Sequence, residues 1–336
     1  NLDSREIRQQ ACEEAVQFAC SIGDPFAEAL GCDVAAMAWH TNLGVQMDWI
    51  ERGLIGASAL NAQVARARLL DRRGRIFLSQ GRLDESLTDA MEATRLFRLV
   101  GHQRHELRTQ QHLFALAMHE TSKPGEAFSG WEQLIPLADR LGVEFQRRLI
   151  RLLYVSLLCD LGRTDEAENV LNTVKELCQQ RRLKPKDVDV SLFEGHLAYR
   201  INQVQTAIDH WNNAMVWAAS IRFPDVYFQA FLQRVWAQIL LYGREEQNSE
   251  ARRQVIQDVR SRLEEKSFAQ HQARFSGELR LVLALSLLLE EWMEEANSRL
   301  QDAREWFKAH PNHPIQPELQ MVELIFLQAE LLREHR

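Results

Sequence analysis

The sequence predicts an all-α chain that is built from repeated helical hairpins. Leu, Ala, Gln, Glu and Arg, which favour helices, dominate the 336 residues, whereas Gly (15) and Pro (8) are scarce. Val, Ile and Thr do not form the alternating runs that are typical of strands. GRLDESL at 81–87 and GRTDEAE at 162–168 are similar stretches that start 81 residues apart, as two copies of a repeating unit would.

The spacing of small residues gives the period of this repeat. Each copy has one near the start of its second helix, at intervals of 41, 40 and 40 residues: Ser86, Ala127, Ala167 and Ala207. Twelve residues upstream lie Gly74, Ala115, Val155 and Gly195, and seven residues downstream lie Ala93, Leu134, Val174 and Ala214. A late copy has Ala284, Ala296 and Ala303 at the same spacing, and Ala251 anchors a looser one. Small side chains there allow two antiparallel helices to cross at close range.

The predicted array is a single unit that runs through residues 1–336. A partial repeat covers 1–26, hairpins cover 27–62, 63–102, 103–143, 144–183, 184–222, 223–268 and 269–312, and a lone helix covers 315–336. In the turns, we expect Gly81 and Gly162 to adopt the left-handed conformation that closes a helix. Asp84 and Thr164 are expected to start the helices that follow. Because the chain begins at Asn1 rather than Met, we expect a fragment of a longer protein.

Composition excludes several classes of protein. The net charge of −7 and the pI of about 5.9 argue against a direct nucleic-acid binder. No apolar run reaches the roughly 18 residues that a membrane span needs, and no signal peptide is visible. The five cysteines are an odd number without any CxxC pair, which indicates reduced thiols and a cytoplasmic protein.

The small-residue pattern resembles the tetratricopeptide repeat (TPR). The matching positions are Gly74, Ser86 and Ala93 in one unit, Ala115, Ala127 and Trp131 in the next, Gly195, Ala207, Trp211 and Ala214 in a third, and Ala284, Ala296 and Ala303 in a late one. The period of about 40 departs from the usual 34, and the proline after the second helix is missing. HEAT and armadillo repeats also run near 40 residues, but the spacing of twelve and seven favours TPR.

This resemblance implies a right-handed superhelical solenoid with a concave groove. Long-period arrays of this kind are similar to the sensor region of MalT-like bacterial transcription activators. They also resemble the TPR regions that precede some bacterial diguanylate cyclases. In both cases the repeats bind a partner and a separate domain carries the effector activity, which implies a role in signalling or transcription regulation.

The sequence offers no catalytic or cofactor motif. It contains no GxxxxGK[ST], HExxH, GxSxG or GxGxxG, so we expect neither an enzyme nor a bound cofactor. His105, His112 and His119 recur every seven residues, which places them about 10 Å apart along one helix face. That spacing is too long for one metal ion, and His102 with His105 lacks a third ligand. We therefore expect a polar stripe that faces the groove rather than a metal site.

By the family's pattern, the groove-facing positions are the second, fifth, ninth and twelfth of each unit. The resemblance places the following candidates there: Arg68, Asp71, Arg75, Thr109, His112, Leu116, His119, Asp189, His196 and Tyr199. A protein or peptide partner, or a small-molecule ligand, is expected in this groove. The arginines at 66–75 suggest an acidic partner, and the alternative is a basic helix that neighbouring acidic residues balance.

Two functional hypotheses follow. The first is a non-catalytic binding module, the sensor or scaffold region of a regulatory protein. The second is self-assembly as a homodimer through the terminal helix, which carries Leu319, Val322, Leu324, Ile325, Leu327 and Leu331. The alternative to self-assembly is that this apolar face caps the last hairpin. Exposed tryptophans would be candidate contact residues for either partner.

Overall fold

The described part of the chain is entirely helical. The computed structural model describes residues 4–39, 42–59, 62–111, 124–180, 190–221, 223–243, 248–264, 275–310 and 316–334. Every regular element within these ranges is a helix, which confirms the all-α prediction. Within the same ranges, no helix combines the length and apolarity that a membrane crossing requires. The chain divides into two compact units, Asn1–His119 with Ser129–Leu141 and Glu120–Phe128 with Gly142–Arg336.

The first unit consists of helical hairpins that follow one another along the chain. Its helices are α1 (Ser4–Ser21), α2 (Pro25–Ala38), α3 (Leu43–Ala59), α4 (Gln63–Ser79), α5 (Leu83–Leu99) and α6 (Gln103–Thr109). Helix α7 (Pro124–Leu141) supplies residues to both units. Consecutive helices pack together, and α2 also contacts α4, so the first helices of successive hairpins are neighbours. This is the stacking that buries the apolar face that a single hairpin leaves exposed.

The second unit repeats this arrangement. Its helices are α8 (Glu144–Asp160), α9 (Thr164–Gln180), α10 (Ser191–Arg200), α11 (Val204–Ile221), α12 (Pro224–Tyr242), α13 (Ser249–Glu264), α14 (Ser276–Leu289), α15 (Met293–Ala309) and α16 (Gln316–Glu334). Hairpin partners α8 with α9, α10 with α11 and α14 with α15 pack closely, and α8, α10, α12 and α14 contact one another in sequence.

Four hairpin turns share one backbone geometry. The second residue after each first helix has a positive φ: Gly81 (76°), Gly162 (73°), Asn202 (64°) and Glu291 (61°). The next amide then donates to the carbonyl five residues back, in the pairs Arg82–Phe77, Arg163–Leu158, Gln203–Ala198 and Trp292–Leu287, at 2.8–3.0 Å. These bonds satisfy carbonyls that the end of a helix leaves without partners. The prediction for Gly81 and Gly162 is confirmed.

The predicted helix start at Asp84 is wrong. Helix α5 begins at Leu83, and the residue that precedes it, Arg82, makes no side-chain capping bond. Asp84 and Glu85 lie in the first turn, where their negative charge favours the positive end of the helix dipole. Arg82 pairs with Glu85 instead. The helix start therefore depends on charge rather than on a capping side chain.

The small residues that gave the period lie at helix crossings. Ser86, Ala167, Ala207 and Ala296 are fully buried, and so are Ala93, Val155, Val174, Ala214, Ala284 and Ala303. Ala115 and the side chain of Ala127 lie outside the described residues. One tight crossing is in α10, where a Cβ on Gly195 would lie 2.4 Å from Nε1 of Trp211. Because Trp211 is itself fully buried and donates to the Leu192 carbonyl at 3.2 Å, it cannot easily move away.

Polar contacts within each unit also follow the repeat. In the first unit, Asp33 on α2 accepts from Arg72 on α4, 39 residues later, and Asp71 on α4 accepts from Arg108 on α6, 37 residues later. In the second unit, Ser156 and Asp160 on α8 contact His196 and Arg200 on α10, each 40 residues later. These are side-chain contacts between first helices of adjacent hairpins, and we call them inter-repeat contacts.

Candidate functional site

The structure describes six of the ten predicted groove residues. Arg68, Asp71 and Arg75 lie on α4 and Thr109 ends α6, all in the first unit. His196 and Tyr199 lie on α10 in the second unit. The other four, His112, Leu116, His119 and Asp189, lie outside the described residues.

In the first unit, Asp71 brings three of the predicted residues together. Its carboxylate is 2% exposed and accepts a hydrogen bond from the Thr109 hydroxyl at 3.0 Å. Arg75 donates to both carboxylate oxygens at 3.2 Å, and Arg108 donates to Oδ2 at 3.1 Å. Asp71 and Thr109 are thus engaged inside the fold, and the guanidinium groups of Arg75 and Arg108 are the parts that reach solvent.

The other arginines of α4 are also paired with acids. Asp33, which is fully buried, contacts Arg68 at 2.5 Å and accepts from Arg72 at 2.8 and 3.0 Å. Arg73 donates to both oxygens of Asp89 at 2.7 and 2.8 Å. This hydrogen bonding raises the pKa of Arg73 above its ordinary value.

Arg66 lies 3.4 Å from Glu92, and Arg73 also contacts Glu51 at 2.8 Å. The acids that balance the arginine run therefore lie on helices α2, α3, α4 and α5. This arrangement supports the alternative interpretation of a basic helix whose charge is balanced by neighbouring side chains. An acidic partner would compete with these acids for the same guanidinium groups.

In the second unit, His196 and Tyr199 belong to an aromatic cluster around Trp211. The His196 ring lies 6.0 Å from Trp211 and 5.9 Å from Phe193, and its Nδ1 is 3.3 Å from the Ser156 hydroxyl. The Tyr199 ring lies 5.8 Å from Trp211, and burial raises the pKa of its hydroxyl. Both predicted residues thus have half-buried rings that combine an apolar surface with a polar edge.

The two described histidines of the predicted stripe also touch. The rings of His102 and His105 lie 5.3 Å apart at right angles, and the His105 ring lies 5.2 Å from Phe97. Burial lowers the pKa of His105, and the positive charge of Arg108 lowers it further. In the part of the chain that the structure describes, no three His, Cys, Asp or Glu side chains are grouped to hold a metal ion.

The terminal helix α16 has one packed face and one exposed face. Leu319, Val322 and Phe326 are buried in the core of the second unit, so this face caps the last hairpin. Arg304 of α15 donates to Glu323 at 2.6 Å and adds a polar contact. The opposite face exposes Met321 (46%), Leu324 (66%), Leu327 (55%) and Leu331 (57%), which together we call the α16 stripe.

Sequence reasoning did not identify which tryptophan is exposed. Trp131 and Trp211 are buried, whereas Trp292 at the start of α15 is 40% exposed. The guanidinium group of Arg260 lies 5.6 Å from its ring centroid, which holds the indole at the surface. Trp292 follows the positive-φ residue Glu291, so this exposed ring lies beside a hairpin turn.

Comparisons with known proteins agree with this architecture. No family model matches the sequence, and no curated protein matches it either. The fold is similar to the crystal structure of a Rap protein complexed with competence and sporulation factor, with a TM-score of 0.55 and 12% sequence identity. The similarity covers 97% of this chain and 99% of that chain. At this identity it shows the fold alone, and the chain has a TPR-like helical-repeat fold.

Proposed function

We propose that this chain is a non-catalytic module that binds a protein or peptide partner. The observation that carries the proposal is the likeness of its fold, over 97% of the chain, to a Rap protein whose structure contains competence and sporulation factor. Arrays of helical hairpins offer extended surfaces on which side chains vary while the scaffold stays constant. The predicted groove residues on α4 and α10 supply the polar and aromatic side chains for such a contact.

The resemblance to long-period arrays suggests a carrier protein for this module. We propose the sensor or scaffold region of a MalT-like activator or of a diguanylate cyclase, acting in the cytoplasm. In this proposal, the gene carries a DNA-binding or cyclase domain in frame with these residues. A gene that encodes only residues 1–336 would contradict this part of the proposal.

The groove is tested with peptides selected from a random dodecapeptide library on the wild-type chain. Charge reversal of Arg68 would place an acid against the buried Asp33, so we choose neutral replacements, Arg68→Gln with Arg75→Gln. Asp33 keeps Arg72, and Asp71 keeps Arg108 and Thr109. We expect selected acidic peptides to bind about tenfold more weakly to this double variant, measured by fluorescence anisotropy.

The matched control is Arg82→Gln with Arg163→Gln, which removes the same charge from two hairpin turns. Equal binding of the selected peptides to the groove variant and the wild type would show that Arg68 and Arg75 of α4 do not contribute to the binding surface. Failure of the library to yield any saturable binder would contradict the binding module itself.

A second function is favoured by the α16 stripe. Four large apolar side chains on the outer face of a terminal helix form a surface that a second copy would cover in a homodimer. We expect light scattering to show a dimer whose fraction rises with concentration, and Leu324→Glu with Leu327→Glu to give a monomer. Leu99→Glu, which replaces a leucine that is 60% exposed on α5, is the control. A wild-type chain that stays monomeric at every concentration contradicts this second function.

A further inference from the structure

The first unit contains a cavity that neither proposed function uses. Its volume is about 260 Å³, and it is lined by Met91, Thr94, Arg95, Arg98, Gln110, Gly130, Gln133 and Leu134. These residues belong to α5, to the residue that follows α6, and to α7. At about 30 Å³ for each water molecule, the space corresponds to roughly nine waters, and hence to a ligand of about ten non-hydrogen atoms.

One wall of the cavity carries a buried hydroxyl without a partner. Thr94 is 8% exposed, and its Oγ1 is inaccessible to solvent and makes no hydrogen bond with the described residues. An unsatisfied buried polar group costs about 1–3 kcal/mol, and native structures contain few of them. Because this oxygen has almost no accessible surface, a ligand reaches it only when the Thr94 side chain rotates towards the cavity, and the hydrogen bond that it then donates would remove the cost.

Two cationic side chains lie at the same cavity. Arg95 uses Nε and Nη2 to hold both oxygens of Glu92, at 2.7 and 2.9 Å. Arg98 uses only Nε, which donates to Glu106 at 2.8 Å. Both Nη groups of Arg98 therefore remain available as donors in the described part of the chain, and they point to an anionic ligand.

The charge balance favours a ligand with one negative charge over a ligand with two. Glu92 and Glu106 already neutralise Arg95 and Arg98, so a dianion such as a phosphate monoester would add twice the negative charge that a monoanion adds. The remaining walls include Met91 and Leu134, which are apolar. The ligand that fits is a singly charged carboxylate with an apolar tail.

We propose that this cavity binds a small monocarboxylate. Its carboxylate accepts hydrogen bonds from the Nη groups of Arg98 and, after rotation of the Thr94 side chain, from the Thr94 hydroxyl, and its apolar part contacts Met91 and Leu134. A free carboxylic acid and the C-terminal residue of a peptide both present this chemistry. The site uses none of the groove residues of α4 and α10, so the test of this site does not depend on the proposed function.

The test is calorimetric titration of the full chain with two probes and their neutral analogues. The probes are octanoate and an acetylated Gly-Ser-Gly-Ser-Gly-Leu peptide with a free C-terminus, and the analogues are octanamide and the same peptide as a C-terminal amide. We expect at least one acid to bind saturably with a Kd below about 1 mM, and its amide to bind at least tenfold more weakly. Whichever acid binds more tightly identifies the source of the carboxylate.

Three variants complete the test. Arg98→Gln is expected to weaken the acid about tenfold, and Thr94→Val, which keeps the shape of the side chain, about threefold. Arg82→Gln, at the residue that precedes α5, is expected to leave binding unchanged, because Arg82 pairs with Glu85 and does not line the cavity. Absence of saturable binding by both acids, equal binding of acid and amide, or an equal loss in Arg82→Gln would each overturn the proposal.

Discussion

Asp33 and Asp71 are buried carboxylates that hold the arginine-rich helix α4 in place. Each has more than one arginine against it, so the charge of each carboxylate is balanced inside the fold. A buried carboxylate with several donors is a strong constraint, because removal of the acid leaves cations without their acceptor. This explains why an arginine run lies on a first helix whose inner face is otherwise apolar.

Asp71→Asn is expected to lower the free energy of unfolding by about 2 kcal/mol. The substitution keeps the size of the side chain but removes the charge that Arg75 and Arg108 contact, and both arginines are partly exposed, which limits the loss. Urea unfolding followed by circular dichroism measures the effect. Asp84→Asn in the exposed first turn of α5 is the control, with an expected change within about 0.5 kcal/mol. Equal effects of the two substitutions would show that the Asp71 contacts do not stabilise the fold.

His105 is expected to make the fold less stable in weak acid. Its pKa in the folded chain lies below the ordinary value of 6.5, because burial and Arg108 disfavour the charged ring. Well above pH 6.5 the His105 ring is neutral in both the folded and the unfolded chain, so its contribution to the free energy of unfolding is constant. As the pH falls through 6.5 towards the folded pKa, the unfolded chain binds a proton more readily, and stability is lost.

The measurement compares the free energy of unfolding at pH 7.5 and pH 5.5. His105→Gln is expected to show a smaller loss between these pH values than the wild type, and the ring resonances of His105, assigned with this variant, are expected to titrate below pH 6.5. A titration midpoint at or above 6.5 would contradict the prediction.

At the scale of elements, the turns show what sequence reading can and cannot reach. Gly81 and Gly162 were predictable, because glycine is the usual residue at the left-handed position that closes a helix. Asn202 and Glu291 adopt the same conformation with different side chains, so the same turn is hidden from a search for GR-x-DE. Backbone geometry is repeated more faithfully than sequence.

The helix crossings were predictable for a related reason. A buried position against a neighbouring helix accommodates few kinds of side chain. Small residues such as Ala207 and Ala296 therefore show the repeat period in the sequence. The burial of the predicted groove residues was not predictable. In a sequence, an aspartate such as Asp71 is expected at the surface, and only the fold shows the arginines that surround it. The exposed α16 stripe was equally ambiguous, because its helix is apolar on more than one face.

Gly195→Ala tests the tight crossing between α10 and α11. The added methyl group would meet the buried Trp211 ring at 2.4–2.9 Å, so the two helices α10 and α11 must separate or the ring must rotate. We expect a loss of about 1–3 kcal/mol, measured by thermal unfolding, with an altered Trp fluorescence spectrum. Gly44→Ala, where the nearest atom lies at 3.6 Å, is the control and is expected to be close to neutral or stabilising. An unchanged midpoint for Gly195→Ala would mean that the crossing is looser than the structure shows.

At the scale of the whole molecule, the array depends on how its last hairpin is covered. Repeat proteins need a terminal element that hides the apolar face of the final unit. The packed face of α16, with Leu319, Val322 and Phe326, does this for α14 and α15. The exposed side chains, which would contact a carrier domain or a ligand, vary freely on such a scaffold, because its stability depends on the core.

Removal of residues 316–336 is expected to lower the thermal midpoint and to cause association. The deletion uncovers the surface that three large apolar side chains bury, each of which contributes about 1.5–3 kcal/mol. Differential scanning calorimetry and light scattering measure the two effects. Leu324→Glu, on the exposed face, is the control and is expected to keep the midpoint of the wild type. A truncated chain as stable and as monomeric as this control would show that α16 is not a cap.

The inter-repeat contacts have one more consequence, which concerns the order of assembly. Hairpins with the same backbone and the same small-residue pattern could dock on the wrong neighbour during folding, a characteristic failure of repetitive chains. The contacts differ between the two units: Asp33 meets Arg72 and Asp71 meets Arg108 and Thr109 in the first, whereas Ser156 meets His196 in the second. A hairpin of the second unit that docked on a hairpin of the first would leave a buried aspartate without the arginines that balance its charge. The polar contacts thus favour docking of each hairpin within its own unit.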